Sequence, residues 1–362
     1  MAEIKTKFTS PFWRSLPFYV GFTLPLSTVV GVGLGGAFWF STLVISFIIV
    51  PLLDVVWGME AYQPTPGDEK QYHSAFAYKL ITWLYVPVHI GLIIWGSWVF
   101  ASNDLAWWQQ VGLIASVGVS SGALGFTISH ELSHRGEWYE RWMAYAILLF
   151  VSYMHFGIEH VMGHHVHVAT PLDPASSRKG ESFWSFLPRT VVGSWKSAFA
   201  FETRRLRRKQ PLERLLKNRL YHFIIMQVLV AAGFYLLLGP WAMVFLLINC
   251  VISDLLLEVI NYVEHYGLCR KEVRPGRYEK VKPHHSWNAN QKISNLFLFR
   301  LQRHSDHHAY PSRRYQLLRD YNDVPQLPFG YPTMSLLAFF PPIWRLVMDH
   351  RVDNLKQNLP SV

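Results

Sequence analysis

The chain has 362 residues, of which 51% are hydrophobic and only 16% are charged. A soluble globular protein carries about 25% charged residues, so this composition excludes an ordinary soluble domain. The net charge of +10 favours anionic headgroups and acidic partners, and without a nucleic-acid-binding motif it does not predict a nucleic acid partner. The 2 cysteines are too few for a disulfide framework or an iron–sulfur site.

Lysine and arginine are missing from three long stretches, each of which can hold two apolar helices of about 20 residues. The stretches run from Ser15 to Glu69, from Leu80 to Glu131 and from His222 to Cys269. Turn residues, mostly glycine, asparagine and proline, divide each stretch in two. We therefore predict an all-α integral membrane fold with six transmembrane spans, at about 16–35, 38–57, 80–100, 107–129, 221–238 and 241–262.

Positive charge occurs in the N-terminal arm, in the 58–79 loop and in the 157–220 segment, but not in the short connections between paired spans. Cytoplasmic loops carry an excess of lysine and arginine. We therefore predict a multi-pass protein of the bacterial inner membrane, with both termini and a cytoplasmic cap on the same side. No repeat or linker divides the chain, so residues 1–362 are predicted to form a single domain.

Two further apolar stretches, 142–157 and 334–348, are short and interrupted. The first contains polar side chains, and a crossing there would put the histidines before and after it on opposite sides of the bilayer. The second is broken by Pro341 and Pro342. Both are therefore predicted to be re-entrant or interfacial rather than additional spans.

Many of the 17 histidines form four groups with the spacing of metal ligands. Residues three or four positions apart share a helix face, so His160 and His164 are predicted to point the same way. Neutral imidazole is the commonest metal ligand, and one tetrahedral zinc takes at most four ligands. The set predicts two metals, and its nitrogen donors favour iron, copper or zinc over calcium or magnesium. The predicted ligands are His130, His134, His160, His164, His165, His265, His304, His307 and His308.

Metal-bound histidines usually donate their second N–H group to a carboxylate or a carbonyl. Acidic and amide residues near the histidine groups, including three at helical intervals along span six, are candidates for this role; simple solvated or interfacial acids are the alternative for Glu264 and Asp306. The candidates are Glu131, Glu159, Asp254, Glu258, Asn261, Glu264 and Asp306.

The motifs HELSH, EHVMGHH, LQRHSDHH, NYVEHYG and PHHSWN resemble the three-histidine-box integral-membrane non-heme diiron family, which also holds the fatty acid desaturases. Within it, the residue sequences of the LQRHSDHH and NYVEHYG motifs resemble those of the membrane-bound alkane 1-monooxygenases, and the resemblance covers essentially the whole chain. It implies two iron ions held by the nine histidines above, with O2 as co-substrate. It further implies hydroxylation of a linear alkane from the bilayer at its terminal carbon, giving a primary alcohol.

The resemblance also implies that electrons come from a rubredoxin, which is itself reduced by an upstream reductase. The two CxxC pairs of a fused rubredoxin are missing, so the donor is predicted to be a separate chain. We predict that it docks on basic residues of the cytoplasmic side. The alternative is that these arginines bind anionic headgroups or, for the last two, buttress the final histidine group. The candidates are Arg204, Arg205, Arg207, Arg208, Arg313 and Arg314.

Three other functions compete with this interpretation. A desaturase or a hydroxylase of another hydrocarbon or lipid would use the same metal core. A membrane zinc protease would use HExxH with Glu131 as general base, but it leaves the other histidine groups unexplained. A metal transporter or sensor would distribute its ligands along a transmembrane path rather than gather them on one side.

Overall fold

The computed structural model describes residues 10–358. Within that range six helices are long and apolar enough to cross a membrane, which confirms the predicted fold class. The predicted side of the two termini concerns residues outside the described range. In chain order, spans one to six are Pro11–Leu34, Gly36–Trp57, Phe76–Ser102, Trp107–Ser133, Arg219–Leu238 and Pro240–His265.

Glycines make the tight turns between paired spans. Gly35 and Gly239 have φ values of 74° and 94°, a region in which a residue without a Cβ atom is not strained. Pro240 then begins span six, where its missing N–H costs no helical hydrogen bond. Inside the first hairpin, the Thr28 and Thr42 hydroxyls lie 2.8 Å apart, which satisfies both polar groups within an apolar pair of helices.

Spans four and six extend further than the sequence predicts. Span four continues past 129 to Ser133, so its last turns carry His130, and span six continues past 262 and ends at His265 itself. Apolar residues give way to polar ones at both ends, but the helices persist because these polar side chains are buried in the protein rather than exposed. Two histidine groups are thereby attached to rigid helices.

The 142–157 stretch is not among the six spans of the described range. It is divided between a helix that ends at Phe150 and a short helix that begins at Phe156. Ser152, between them, has a φ of 56°, which a residue with a Cβ atom adopts only rarely. The 334–348 stretch is likewise interrupted just before Pro341.

The segments outside the spans form a cap on one end of the bundle. One of its helices, 156–167, contains a π-helical turn at His160–His164. A small antiparallel hairpin pairs strands β1 (Glu272–Arg274) and β2 (Arg277–Tyr278). The cap helices are α1 (Pro66–Tyr72), α2 (Trp138–Phe150), α3 (156–167), α4 (Phe183–Leu206), α5 (Pro211–Lys217), α6 (Lys292–Phe297), α7 (His304–Ala309), α8 (Tyr331–Ala338) and α9 (Pro341–Asn358).

Buried carboxylates at the end of span two fasten the cap to the bundle. Asp54 accepts the backbone N–H groups of Ile293 and Ser294, both at 2.9 Å, at the start of α6. Glu60 pairs with Arg300 and Arg303, and all three side chains are less than 10% exposed. These contacts hold the segment that leads directly into the last histidine group.

Replacing Glu60 with alanine is expected to lower the free energy of unfolding by about 3–5 kcal/mol, because it leaves two buried guanidinium groups without their carboxylate. Chemical denaturation of the purified protein in detergent measures the change. The matched control is Glu213→Ala, which breaks an ion pair with Lys217 that is mostly exposed and should change stability little. Equal stability of the two variants would show that the Glu60 pairs do not fasten the cap.

Candidate metal centre

All nine predicted ligand histidines converge beneath the cap, where they form two adjacent sets. In each set, one nitrogen per ring lies within 4.8 Å of every other. The sets touch, since the rings of His165 and His308 stack at a centroid distance of 4.4 Å. The five-histidine set is His130, His134, His160, His165 and His307, and the four-histidine set is His164, His265, His304 and His308.

The nitrogens of each set are spaced like ligands around one ion. In the five-histidine set, the Nε2 atom of His165 lies 3.1 Å from that of His160 and 3.0 Å from that of His307. In the four-histidine set, the Nε2 atom of His304 lies 2.8 Å from that of His308 and 3.3 Å from that of His265. Metal–nitrogen bonds of about 2.1 Å put neighbouring ligand nitrogens roughly 3 Å apart. Both sets therefore fit a metal ion.

Two ring nitrogens support the same conclusion because they lack partners. The Nε2 atoms of His130 and His164 are buried and have no hydrogen-bond partner among the described residues. A buried polar atom without a partner is costly, and a metal ion would satisfy both. The donor set is entirely imidazole, which suits a redox-active transition metal such as iron.

A π-helical turn determines how the histidines of the EHVMGHH motif, His160, His164 and His165, are divided between the two sets. The turn at His160–His164 holds one more residue than an α-helical turn, so His160 aligns with His165, five positions later. His160 and His164 do point the same way, with their rings stacked at a centroid distance of 5.2 Å, but His164 belongs to the other set. Such turns are frequent at functional sites.

The histidines of the LQRHSDHH motif, His304, His307 and His308, are also divided between the two sets, but here the division follows from ordinary α-helical geometry. His304 and His308, four positions apart on α7, share the four-histidine set. His307 lies on a neighbouring face and joins the five-histidine set. Helices α3 and α7 thus each carry histidines of both sets, and they fix the distance between the two sets.

Burial keeps most of these rings neutral. It lowers the pKa of His160, His165 and His307 well below the ordinary value, because an imidazolium ion is costly away from water. A metal binds only the neutral ring, so burial prepares these side chains for ligation.

Asp173 is a candidate site residue that the sequence motifs did not indicate. The Nδ1–H group of His164 donates to Asp173 at 2.9 Å, which fixes the ring with Nε2 toward the other ligands. Asp173 is held in turn by the Ser176 hydroxyl at 2.6 Å and by the Ala175 N–H group at 3.1 Å. Burial lowers the pKa of His164, but the carboxylate outweighs burial and raises it above the ordinary value. No motif spacing marks this residue, because a turn rather than a helix returns it to His164.

Two of the predicted acceptor residues lie beside the histidines. Glu264 has a carboxylate oxygen 3.1 Å from Nε2 of His304, on the side of the ring that faces the other ligands. Glu159 is buried near His164 and Asp173. Both are placed to offset the positive charge of bound metal ions.

The other predicted acceptors of span six bond elsewhere in the described structure. Glu258 accepts hydrogen bonds from Tyr153 at 2.6 Å, Thr190 at 2.9 Å and Asn261 at 3.2 Å. Asp254 lies one helical turn earlier on span six, away from the histidines. Glu258 therefore belongs to a buried polar network with α4 and the α2–α3 connection, whereas Asn261 donates to Glu258 and also lines the same cavity as His130, His160 and His304.

Glu131 and Asp306 are engaged by arginines. Glu131 pairs with Arg135 at 3.1 Å and accepts the Tyr315 N–H group at 3.4 Å, so its carboxylate is already engaged, unlike the general base that a zinc protease requires. Asp306 binds Arg313 and accepts the Tyr321 hydroxyl at 2.6 Å. Both acids stabilise the loops that hold the histidines.

The arginines predicted to dock a partner differ in their surroundings. Arg313 and Arg314 are mostly buried and pair with Asp306 and Glu140, as in the buttressing alternative. Arg205 pairs with buried Glu202. The remaining three, Arg204, Arg207 and Arg208, are exposed at the end of α4.

An apolar cavity reaches both sets of histidines from the membrane-embedded side. It lies among spans one, two, four and six and ends at His130, His160 and His304. Near this end the ring of Phe156 stacks on that of His160 at 4.5 Å. Its apolar walls include Leu24, Val50, Val119, Phe126, Leu256 and Leu298.

A third cluster, of Glu279, His284 and His285, has metal-ligand spacing but a different role. The Nδ1 atom of His285 accepts the Lys282 N–H group at 3.0 Å. The neutral ring then carries its proton on Nε2, which faces Glu279 at 3.4 Å, so no lone pair is left for a metal. The cluster braces the β-hairpin.

Comparison with known proteins agrees with this geometry. The family model described as fatty acid desaturase matches residues 105–338. The chain is 42% identical to alkane 1-monooxygenase 2 of Pseudomonas aeruginosa, over 92% of this chain and 91% of that protein. It is 40% identical to alkane 1-monooxygenase of Pseudomonas putida, over 95% and 84%. It is 30% identical to the xylene/toluene monooxygenase hydroxylase component of Pseudomonas putida, over 85% and 81%.

Identity at this level over most of both chains, with a family match across more than half of this one, assigns the family. The two histidine sets and the six spans are the features expected of it. The chain belongs to the alkane 1-monooxygenases, within the fatty acid desaturase family of integral membrane diiron enzymes.

Proposed function

We propose that the chain hydroxylates the terminal carbon of linear alkanes, with two iron ions, one in each histidine set, and with electrons from a separate rubredoxin. One atom of O2 enters a C–H bond of the terminal methyl group and gives a primary alcohol. The other leaves as water, with two protons and with two electrons that reduced rubredoxin delivers from an upstream reductase. The observation that carries the proposal is the apolar cavity that ends at histidines of both sets.

The chain's own residues supply binding, orientation and the exclusion of water. When bound, iron supplies O2 activation. An alkane dissolves in the bilayer and enters an apolar cavity without a desolvation cost. The terminal methyl group can then reach the end of the cavity at His130, His160 and His304. Phe126 and Phe156, with ring centroids 6.0 Å apart, shield that end from water.

The proposed location is a bacterial inner membrane, with the cap and the metal centre in the cytoplasm. The positive charge of the 58–79 and 157–220 segments supports this side. Single cysteines introduced at Glu137 and Lys179 should both be labelled from the cytoplasm by a reagent that does not cross membranes. Labelling of the two positions from opposite sides would contradict both this topology and a shared metal centre.

Product analysis tests the reaction. The purified, iron-loaded chain is supplied with octane, O2 and reduced rubredoxin, and 1-octanol is the expected product. An alkene would identify a desaturase, and a secondary alcohol would contradict terminal attack. A second substrate, p-xylene, tests a competing activity, the hydroxylation of xylene, which is favoured by the similarity to the xylene/toluene monooxygenase component.

Substrate length should depend on Val119, which lines the cavity and is 5% exposed. It precedes His130 on the same helix by about 16 Å at 1.5 Å per residue. Val119→Phe is expected to shorten the longest alkane that is hydroxylated, because the larger ring fills the cavity at a distance from the metals. The ratio of products from a mixture of C6 to C16 alkanes measures the shift.

The matched control is Val111→Phe, on the same span but exposed toward lipid, which should leave the product ratio unchanged. An unchanged ratio in Val119→Phe, with turnover retained, would show that the alkane does not extend along span four.

A further inference from the structure

Helix α3 carries ligands on one face and exposed apolar side chains on the other. His160, His164 and His165 face the metal centre. Met162 and Val166 are 41% and 54% exposed, so both lie on the outer face. Leu172, in the turn that follows, is 57% exposed. These three residues, the α3 patch, lie outside the six spans.

Basic residues border the α3 patch. The Arg270 guanidinium donates to the Val166 carbonyl at 2.8 Å, and the Arg270 N–H group donates to the Ala169 carbonyl at 2.7 Å. These bonds hold the β-hairpin segment against the patch. Residues 269–282 of that segment contain 6 basic and 2 acidic residues. Its strands project Arg274 and Arg277 into solvent.

Exposed arginines approach the same region from α4. Helix α4 packs against α3 at Gly163, where a Cβ atom would lie 2.9 Å from the Phe201 ring, and the Arg204 guanidinium lies over that same ring, 5.2 Å from its centroid. Arg207 and Arg208 continue this exposed run. The apolar patch therefore lies between two basic segments. An apolar centre with a charged rim is the usual anatomy of a transient protein interface, and a basic rim selects an acidic partner.

We propose that the α3 patch and its basic rim dock the electron carrier, a small acidic redox protein; this inference rests on the proposed function. Each carrier gives up one electron here, so the two needed per turnover arrive in two successive encounters. Met162 and Val166 lie within two positions of His160, His164 or His165 in sequence, so the path from a docked carrier to the ligands is short. This docking site does not include Arg313 and Arg314, because the charges of both are already paired with buried acids.

A polar cleft beside His134 is the competing surface. His134 is the one ligand histidine of the two sets that is not fully buried, and the cleft also exposes parts of Arg135 and Arg314. Both of these arginines pair with buried acids, Glu131 and Glu140. The cleft therefore offers little net charge to an acidic partner, and it lacks an apolar centre.

The test uses the full chain in lipid nanodiscs and a bacterial rubredoxin as the probe. The Kd of the complex is measured for the parent, for the double variant Arg274→Glu, Arg277→Glu, and for Val166→Asp. Both variants should raise the Kd about tenfold or more at low salt. Matched controls are Lys70→Glu and Arg141→Glu, which are exposed near the His134 cleft, and Val192→Asp, an exposed apolar position on α4.

Alkane turnover driven by dithionite and methyl viologen, without a protein carrier, should be the same in the parent and in Arg274→Glu, Arg277→Glu. The docking proposal is overturned if the patch variants bind as the parent does, or if only the cleft variants bind more weakly. Failure of the proposed function appears differently, as no alcohol from any protein under chemical reduction, whatever the Kd values are.

Discussion

Replacing a single ligand histidine with alanine should abolish turnover and remove iron mainly from the set to which that histidine belongs. His265→Ala, in the four-histidine set, is expected to reduce bound iron from two ions per chain to about one, because metal affinity depends on every ligand of a set. His134→Ala should do the same through the five-histidine set. Iron quantification by plasma mass spectrometry, together with 1-octanol formation, measures both effects.

The controls are histidines with local roles. His222 contacts the Leu216 carbonyl at 2.8 Å, and His350 contacts the Leu346 carbonyl at 3.1 Å. Alanine at either position should leave iron content and turnover nearly unchanged. Full iron content and activity in any of the nine ligand variants would remove that histidine from the centre. Equal loss of both ions from every variant would contradict two separately held metals.

The number of spans could be predicted from the sequence because long apolar stretches without lysine or arginine are typical of membrane-spanning helices. The helix ends could not. His130 and His265 lie inside spans four and six, since burial beneath the cap keeps polar residues helical. The candidate ligand histidines were likewise visible in the motifs, and the structure brings all nine together in two sets that could each hold a metal ion; that they bind two irons stays a prediction.

The division of those ligands was not visible, for two physical reasons. A π-helical turn brings His165, five positions later, next to His160, so His164 belongs to the other set although its ring stacks on that of His160. Each set also combines histidines from different segments, namely α3, α7 and two spans. The residue spacing within one segment cannot predict which side chains of another segment it will contact. The cavity walls depend in the same way on how four spans are rotated about their axes.

Asp173→Ala should weaken iron binding by about 10–100-fold, the usual effect of removing a carboxylate that orients a ligand histidine. The carboxylate holds Nδ1 of His164 and thereby directs Nε2 toward His265, His304 and His308. Without it the ring can rotate, and the four-histidine set loses the geometry that holds its ion. Iron release to a chelator, followed over time, measures this effect independently of activity.

Two comparisons make the result specific to His164. Asp173→Asn retains an oxygen that can accept the Nδ1–H group, so it should fall between alanine and the parent. Asp320→Asn also alters a carboxylate that accepts hydrogen bonds, from Asn288 and Asn290 at 2.7 and 2.8 Å, but it touches no ligand histidine and should release iron at the parent rate. If Asp173→Ala releases iron no faster than Asp320→Asn, the ring of His164 is positioned by the metal and its packing rather than by this carboxylate.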